Sequence, residues 1–471
     1  MTIPSNTAIP KISKGISMTL TALSPLDNRY TSRLTDLAPC LSHFALIAYR
    51  VQIEIEWLRF QSAHPELTHV RAFTDAEHQM LKSWIDTFDE QQAQRVVAIE
   101  RVTNHDVKSV EYYVRERLAE TSLADVCEAV HFCCTSEDIN NLSHALMLKS
   151  AVEDVFLPLA QQVIQITSKL AQDTKNLPIL ARTHGQPATP TTMGKELAVF
   201  VYRWQRQIKQ ATQLEYLGKF NGATGNYNAH VAAYPKVLWH DLARDFVQRL
   251  GLTFNPLTTQ IESHDYMAEV FHLIIRFNTI ALDFARDMWT YISLSYFRQK
   301  TIASEVGSST MPHKVNPIDF ENAEANLGIS TALLEHLSTK LPVSRLQRDL
   351  SDSSASRNIG PAIGHACLAL KSLLNGIGKV AIDKQAIASD LENAWEILGE
   401  AVQTVMRKAG YENAYELMKD LTRGTEITEA GLNDFLNALD LPQADLKNLK
   451  NLTPQSYIGL APQLCELGIK N

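Results

Sequence analysis

The stretch Ala303–Pro317, ASEVGSSTMPHKVNP, gathers Ser308, Lys314 and Asn316 around Gly307 and Pro312. An ammonium and an amide held together suit the stabilisation of a negative charge that develops during a reaction. By composition alone the same string also fits a solvated turn between two helices. A second string, Ala181–Pro190, reads ARTHGQPATP and carries Thr183, His184 and Gln186. It precedes a helix expected from about Thr191, whose first turn would offer unpaired N–H groups and a partial positive charge. An imidazole there titrates near neutrality and could transfer a proton, although a lone histidine is more often structural. Thr103–Asp106, TNHD, holds Asn104, His105 and Asp106, and Thr135–Asp138, TSED, holds Thr135 and Ser136. The first also reads as a turn and the second as an ordinary helix cap with acids behind it. Two arginine-bearing strings complete the set. SPLDNRY at 24–30 contains Arg29 and Tyr30, and RDLSDS at 348–353, followed by Arg357, contains Arg348 and Ser353. Guanidinium groups are suited to bidentate contacts with phosphate or carboxylate.

The elements that must position these strings are helical almost throughout. From Leu257 to Val306 the chain has neither Gly nor Pro. Within it Val270, Phe271, Ile274, Phe277, Ala281, Phe284 and Met288 recur at three- and four-residue spacing, which predicts a long amphipathic helix. Glu137–Thr174 has the same character, broken or kinked near Pro158. Thr191–Leu217 is a third, opened by Pro190 and closed by Gly218. A further pair is expected from about 320 to 338 and 358 to 377. Few runs alternate as strands do, and any short strands belong near Ile179–Ala181. The fold class expected is all-α, with a central bundle of long helices.

At 471 residues the chain is too long for one core. The expected division is a flexible tail at 1–18, an N-terminal helical domain at 19–127, a long-helix bundle at 128–372 and a C-terminal helical domain at 373–471. The opening residues have no apolar core of a secretory signal, and Met18 could serve as an alternative start. Net charge is −8, and charged residues make up 20% of the chain. No basic excess points to nucleic acid, and no run is apolar enough to span a membrane. Cys40, Cys127, Cys133, Cys134, Cys367 and Cys465 match neither a zinc site nor a disulfide framework, so free thiols in a reducing cytoplasm are expected and no metal.

The 303–317 string resembles the GSSxMPxKxNP pattern of the fumarase/aspartase superfamily over its full length. Together with RTHGQPATP, TNHD, TSED and QRDLSDSS, it makes the chain similar to the adenylosuccinate lyases of that superfamily, in their bacterial long form, from about Leu20 onward. One departure is Val315, where many members carry Arg before the motif Asn. The resemblance implies a three-domain fold and a homotetramer with active sites shared between subunits. It also implies small-molecule nucleotide substrates, no cofactor, and β-elimination of fumarate. On that analogy Ser308 is the general base, His184 the general acid, and Glu321 the residue that orients His184. His105 competes for the acid role. Lys314 and Asn316 steady the developing charge. Arg29, Tyr30, Asn104, His105, Asp106, Thr135, Ser136, Thr183, Gln186, Gln260, Arg348, Ser353 and Arg357 contact substrate. Other enzymes of the superfamily share the 303–317 string, so they remain rivals. A catalytically dead structural member is a second rival, against which the presence of Ser308, His184 and Lys314 speaks.

Overall fold

The computed structural model describes residues 20–300, 311, 314–422 and 427–470. The expected tail at 1–18 and the expected base Ser308 therefore lie outside the described residues. Among those described, helices dominate and every strand is two or three residues long. No described helix is long and apolar enough to cross a membrane.

The chain divides into two compact units, each discontinuous in sequence. The first comprises 1–160, 208–279 and 325–371, and the second 161–207, 280–324 and 372–471. Each boundary falls inside a long helix: Leu157–Asp173, Met193–Ala211, Asp265–Ser293, Ile318–Lys340 or Ile359–Lys379. The first unit is organised on the helix His43–Ala63. Ser42 caps it by accepting the Ala45 N–H at 3.1 Å. Its buried residues lie on every face, as befits a central helix. Val51, Ile55 and Leu58 pack with Leu81, Trp84, Val110, Val114 and Leu118 into one core. The helices Asp75–Asp86 and Glu90–Thr103 both begin with reciprocal capping boxes, Thr74 with Glu77 and Asp89 with Gln92.

In the second unit Phe200 and Trp204 meet Phe284 edge-on, at centroid distances of 5.4 and 5.3 Å. A Cβ at Gly194 would collide with the Ala171 carbonyl oxygen and the Lys175 backbone, so only glycine permits this close approach. A separate core of Leu391, Leu398, Val402, Met406, Leu432, Leu436 and Leu449 sits in the C-terminal part.

Two of the expected helical segments have other bounds, and a third, expected at 137–174, runs Ser136–Asp173 with its break. The longest runs Asp265–Ser293, inside the Gly- and Pro-free segment that opens at Leu257, and at 29 residues spans about 44 Å. His264 and Ser295 bracket it in left-handed conformation, with φ of 63° and 62°. Neither residue is a glycine, so no residue type marked the ends. The expected Thr191 start is also displaced. Thr191–Thr192 pairs as a short strand with Pro178–Ile179, and the helix is Met193–Ala211. The break expected near Pro158 is a π turn over Ala151–Phe156, where the Leu157 N–H reaches back five residues to Val152. Proline has no N–H and its ring crowds the carbonyl four residues back, so the ladder slips a register before it.

Candidate active site

In the first unit, the Glu90–Thr103 helix stops because Asn104 turns left-handed, at φ 52°. His105 then caps the next helix, its Nδ1 accepting the Lys108 N–H at 3.1 Å. That role places the proton of a neutral ring on Nε2. Asp106 receives Arg50 Nη2 at 2.6 Å. Burial pushes the Asp106 carboxyl pKa up, but Arg50 and the Val107 N–H outweigh it and hold it below the usual range.

Arg50 is only 4% exposed and begins a chain of contacts through most of the predicted binding strings. Its Nε donates to Asn140 Oδ1 at 2.9 Å, and Asn140 Nδ2 donates to Glu137 Oε1 at 2.8 Å. Glu137 Oε1 lies 3.0 Å from Arg348 Nη2. Arg348 Nη1 donates to Gln260 Oε1 at 3.2 Å, and Gln260 Nε2 to the Ala223 carbonyl at 2.9 Å. Arg348, expected as an anion clamp, is thus already held by Glu137 and Gln260.

Thr135 and Ser136 open the Ser136–Ser150 helix. The capping reading of TSED holds for Asp138, whose carboxylate accepts the Thr135 N–H at 2.8 Å. Asp138 is fully buried, and so is Lys219, whose Nζ donates to it at 2.8 Å. The Asn221 and Gly222 N–H groups add bonds of 2.9 and 3.1 Å. One carboxylate therefore ties the 135–136 edge to the loop that Gln260 also holds.

Ser353 and Arg357 line a cavity of about 280 Å³ together with Arg50, Glu137, Asn140, His144, His264 and Asp352. Burial, reinforced by Arg50 and His264, pushes the His144 pKa down to about 3, so the ring is neutral at physiological pH. Arg357 forms no ion pair among the described residues. Arg29 is exposed, 5.8 Å from the Tyr30 ring, and does not line this cavity. Arg50, Asn140, His144 and His264 were not singled out from sequence. The available signal was an arginine directly after the apolar run Phe44–Tyr49 and the polar pair Asn140–Asn141 inside a helix.

In the second unit, Arg182–Thr183 pairs antiparallel with Gln186–Pro187. Thr183 faces Gln186 across a two-residue turn, in which His184 and Gly185 have φ of 54° and 77°. Positive φ at both central residues marks the hairpin turn whose twist suits its strands. Arg182 anchors the base, with Nη2 on Asp390 at 2.6 Å and Nη1 on the Tyr296 hydroxyl at 3.1 Å. His184 thus sits exposed at a hairpin tip ahead of the Met193–Ala211 helix, and makes no hydrogen bond or ion pair among the described residues. Lys314 is exposed, its backbone N–H bonded to the Met311 carbonyl at 3.0 Å. Asn316 is half-buried close by in sequence. Glu321 lies in the first turn of Ile318–Lys340 and accepts the Trp289 indole N–H at 3.2 Å. Within the chain, His184 and Glu321 form no ion pair among the described residues.

A family model described as lyase matches residues 43–329, and one described as adenylosuccinate lyase C-terminal matches 344–458. The chain is 52% identical over 443 residues to the adenylosuccinate lyase of Escherichia coli (strain K12), covering 94% of this chain and 97% of that one. Against the adenylosuccinate lyase of Haemophilus influenzae the identity is 50% over 449 residues, with 95% and 98% covered. A solved fumarate lyase from Mesorhizobium sp. BNC1 shares the fold. Its TM-score is 0.75 at 16% identity, over 92% of this chain and 97% of that one. With half of its residues shared over nearly the whole length of such relatives, and both family models matched, the chain belongs to the adenylosuccinate lyase family.

Proposed function

We propose that the protein eliminates fumarate from adenylosuccinate, giving AMP, and from succinylaminoimidazole carboxamide ribotide, giving the free carboxamide ribotide. The observation that carries this reading is the 52% identity, over 94% of the chain, to a relative named for the first activity. In the step proposed, a base removes a proton from the succinyl carbon next to a carboxylate. The electron pair forms the C=C bond of fumarate, the C–N bond breaks, and the departing nitrogen takes a proton. His184 gives that proton from its exposed hairpin tip, and Ser308 is the base. A second negative charge builds on the carboxylate before the C–N bond yields, and Lys314 and Asn316 oppose it. Arg29 and Arg357 take the substrate's phosphate and carboxylates. His105, Asp106, Thr135, Ser136 and Gln260 line the nucleotide, and Arg348 holds Gln260 and Glu137 in place. Thr183 and Gln186 flank the acid.

Open imidazole and ammonium groups in one unit support a homotetramer in which a site takes residues from several copies of the chain. We place the protein in the cytoplasm. The test follows absorbance with each substrate in turn, and with argininosuccinate, aspartate and malate as controls. Turnover of both purine-pathway substrates is expected. Cleavage of a control alone, or of only one substrate with the other neither turned over nor inhibitory, overturns the reading.

A further inference from the structure

The first turns of Ile318–Lys340 present three carboxylates, and they are partnered unequally. Asp319 holds Lys379 Nζ at 3.0 Å, and Glu324 holds Arg286 Nε at 2.8 Å. Glu321, between them, receives among the described residues only the neutral indole N–H of Trp289, at 3.2 Å. Trp289 and Arg286 are three residues apart on one helix, and Glu321 and Glu324 three apart on the next, so the two contacts are successive rungs between the same helices. Arg286, one turn from Trp289, is engaged by Glu324 and is not paired with Glu321. Among the described residues no basic group lies within ion-pair distance of Glu321. An N–H donor fixes a carboxylate's orientation without cancelling its charge, whereas an arginine would do both.

We propose that Trp289 is a positioning residue for the elimination. Its indole N–H aims Glu321 and leaves the carboxylate's charge available to the imidazole of His184 contributed by another copy of the chain. This rests on the reading of Glu321 as the partner of His184. A correctly aimed carboxylate favours the protonated imidazole, which is the form that gives up a proton.

The experiment compares Trp289→Phe, Glu321→Gln and the double variant by kcat, KM, melting temperature and the pH profile of kcat. Trp289→Phe keeps an aromatic ring and removes the donor. Losing one such hydrogen bond is expected to lower kcat by about three- to tenfold with KM little changed. The high-pH limb of the profile should move to lower pH, in the direction of the Glu321→Gln shift but by less. In the Glu321→Gln background, Trp289→Phe should do nothing further. If Glu321→Gln changes the profile and Trp289→Phe changes only the melting temperature, or acts additively, the proposal is overturned while the reading of Glu321 stands. If Glu321→Gln leaves kcat and profile unchanged, both fall.

Discussion

In the first unit Arg50, Asn140, Glu137, Arg348 and Gln260 bond to one another in sequence, and Asp138 draws its donors from Lys219 and three backbone N–H groups. In the second unit His184 and Lys314 stand exposed with no side-chain partner among the described residues, and Glu321 has only a neutral one. The two regions are built for different tasks. A buried polar network is satisfied before any ligand arrives, so it can hold a binding edge rigid at little cost when substrate binds. An exposed imidazole or ammonium keeps its bonding capacity for a group that arrives from outside. Substitutions in the first region should therefore act on stability and binding, and those in the second on the chemical step.

The largest effect expected is on catalysis. His184→Ala should lower kcat about 10²- to 10⁴-fold, as for a positioned proton donor. Because the side chain is exposed, the melting temperature should hardly move. A fall in melting temperature matching the loss of activity would erase the distinction between the regions. Greater damage from His105→Ala, with binding intact, would transfer the acid role to that residue.

Next comes the buried pair. Asp138→Asn leaves the Lys219 ammonium without its anion in a fully buried setting, and breaking such a pair costs about 3–5 kcal/mol. The unfolding midpoint in urea should drop accordingly, and removing the charge as well, in Asp138→Asn/Lys219→Met, should restore part of it. Equal stability of Asp138→Asn and wild type would mean that the first region is not held as described.

The smallest effect is on pH dependence. His230 is fully buried against the rings of Phe220 and Trp239, with neither ring nitrogen hydrogen-bonded among the described residues. Burial pushes its pKa from 6.5 down to about 4. As pH falls below 6.5 the unfolded chain takes up this proton and the folded chain does not. The stability associated with the neutral ring is thus complete above pH 6.5 and is lost progressively toward pH 4. Between pH 6.5 and 5 the loss is about 2 kcal/mol. His230→Phe should flatten that part of the urea-midpoint profile. An unchanged slope would show that this ring is not kept neutral by the fold.

The sequence exposed these two regions unequally. Helix faces were legible because burial repeats at the helical period, as from Val270 to Met288. The ends at His264 and Ser295 were not, since ordinary residues there adopt a conformation usually marked by glycine. The hairpin that lifts His184 was missed for a different reason. Its Gly185 was visible, but not that Thr183 and Gln186 pair across it. Predicted binding residues could be named from short polar strings. Arg50 and Asn140, which hold those strings to one another, lie within helical runs whose spacing carries no chemical signal. Arg50 meets Asp106 and Asn140, 56 and 90 residues away along the chain, and only folding brings them together.

The central claim is that the open groups of the second unit complete sites shared between copies of the chain. Inactive His184→Ala and inactive Lys314→Ala proteins, carrying different tags, would be unfolded together, refolded, and the assemblies that carry both tags isolated and assayed. If a site draws His184 and Lys314 from different copies, about a quarter of the sites in random mixtures hold both wild-type residues, and that share of activity should return. Mixed assemblies as inactive as their parents would contradict shared sites.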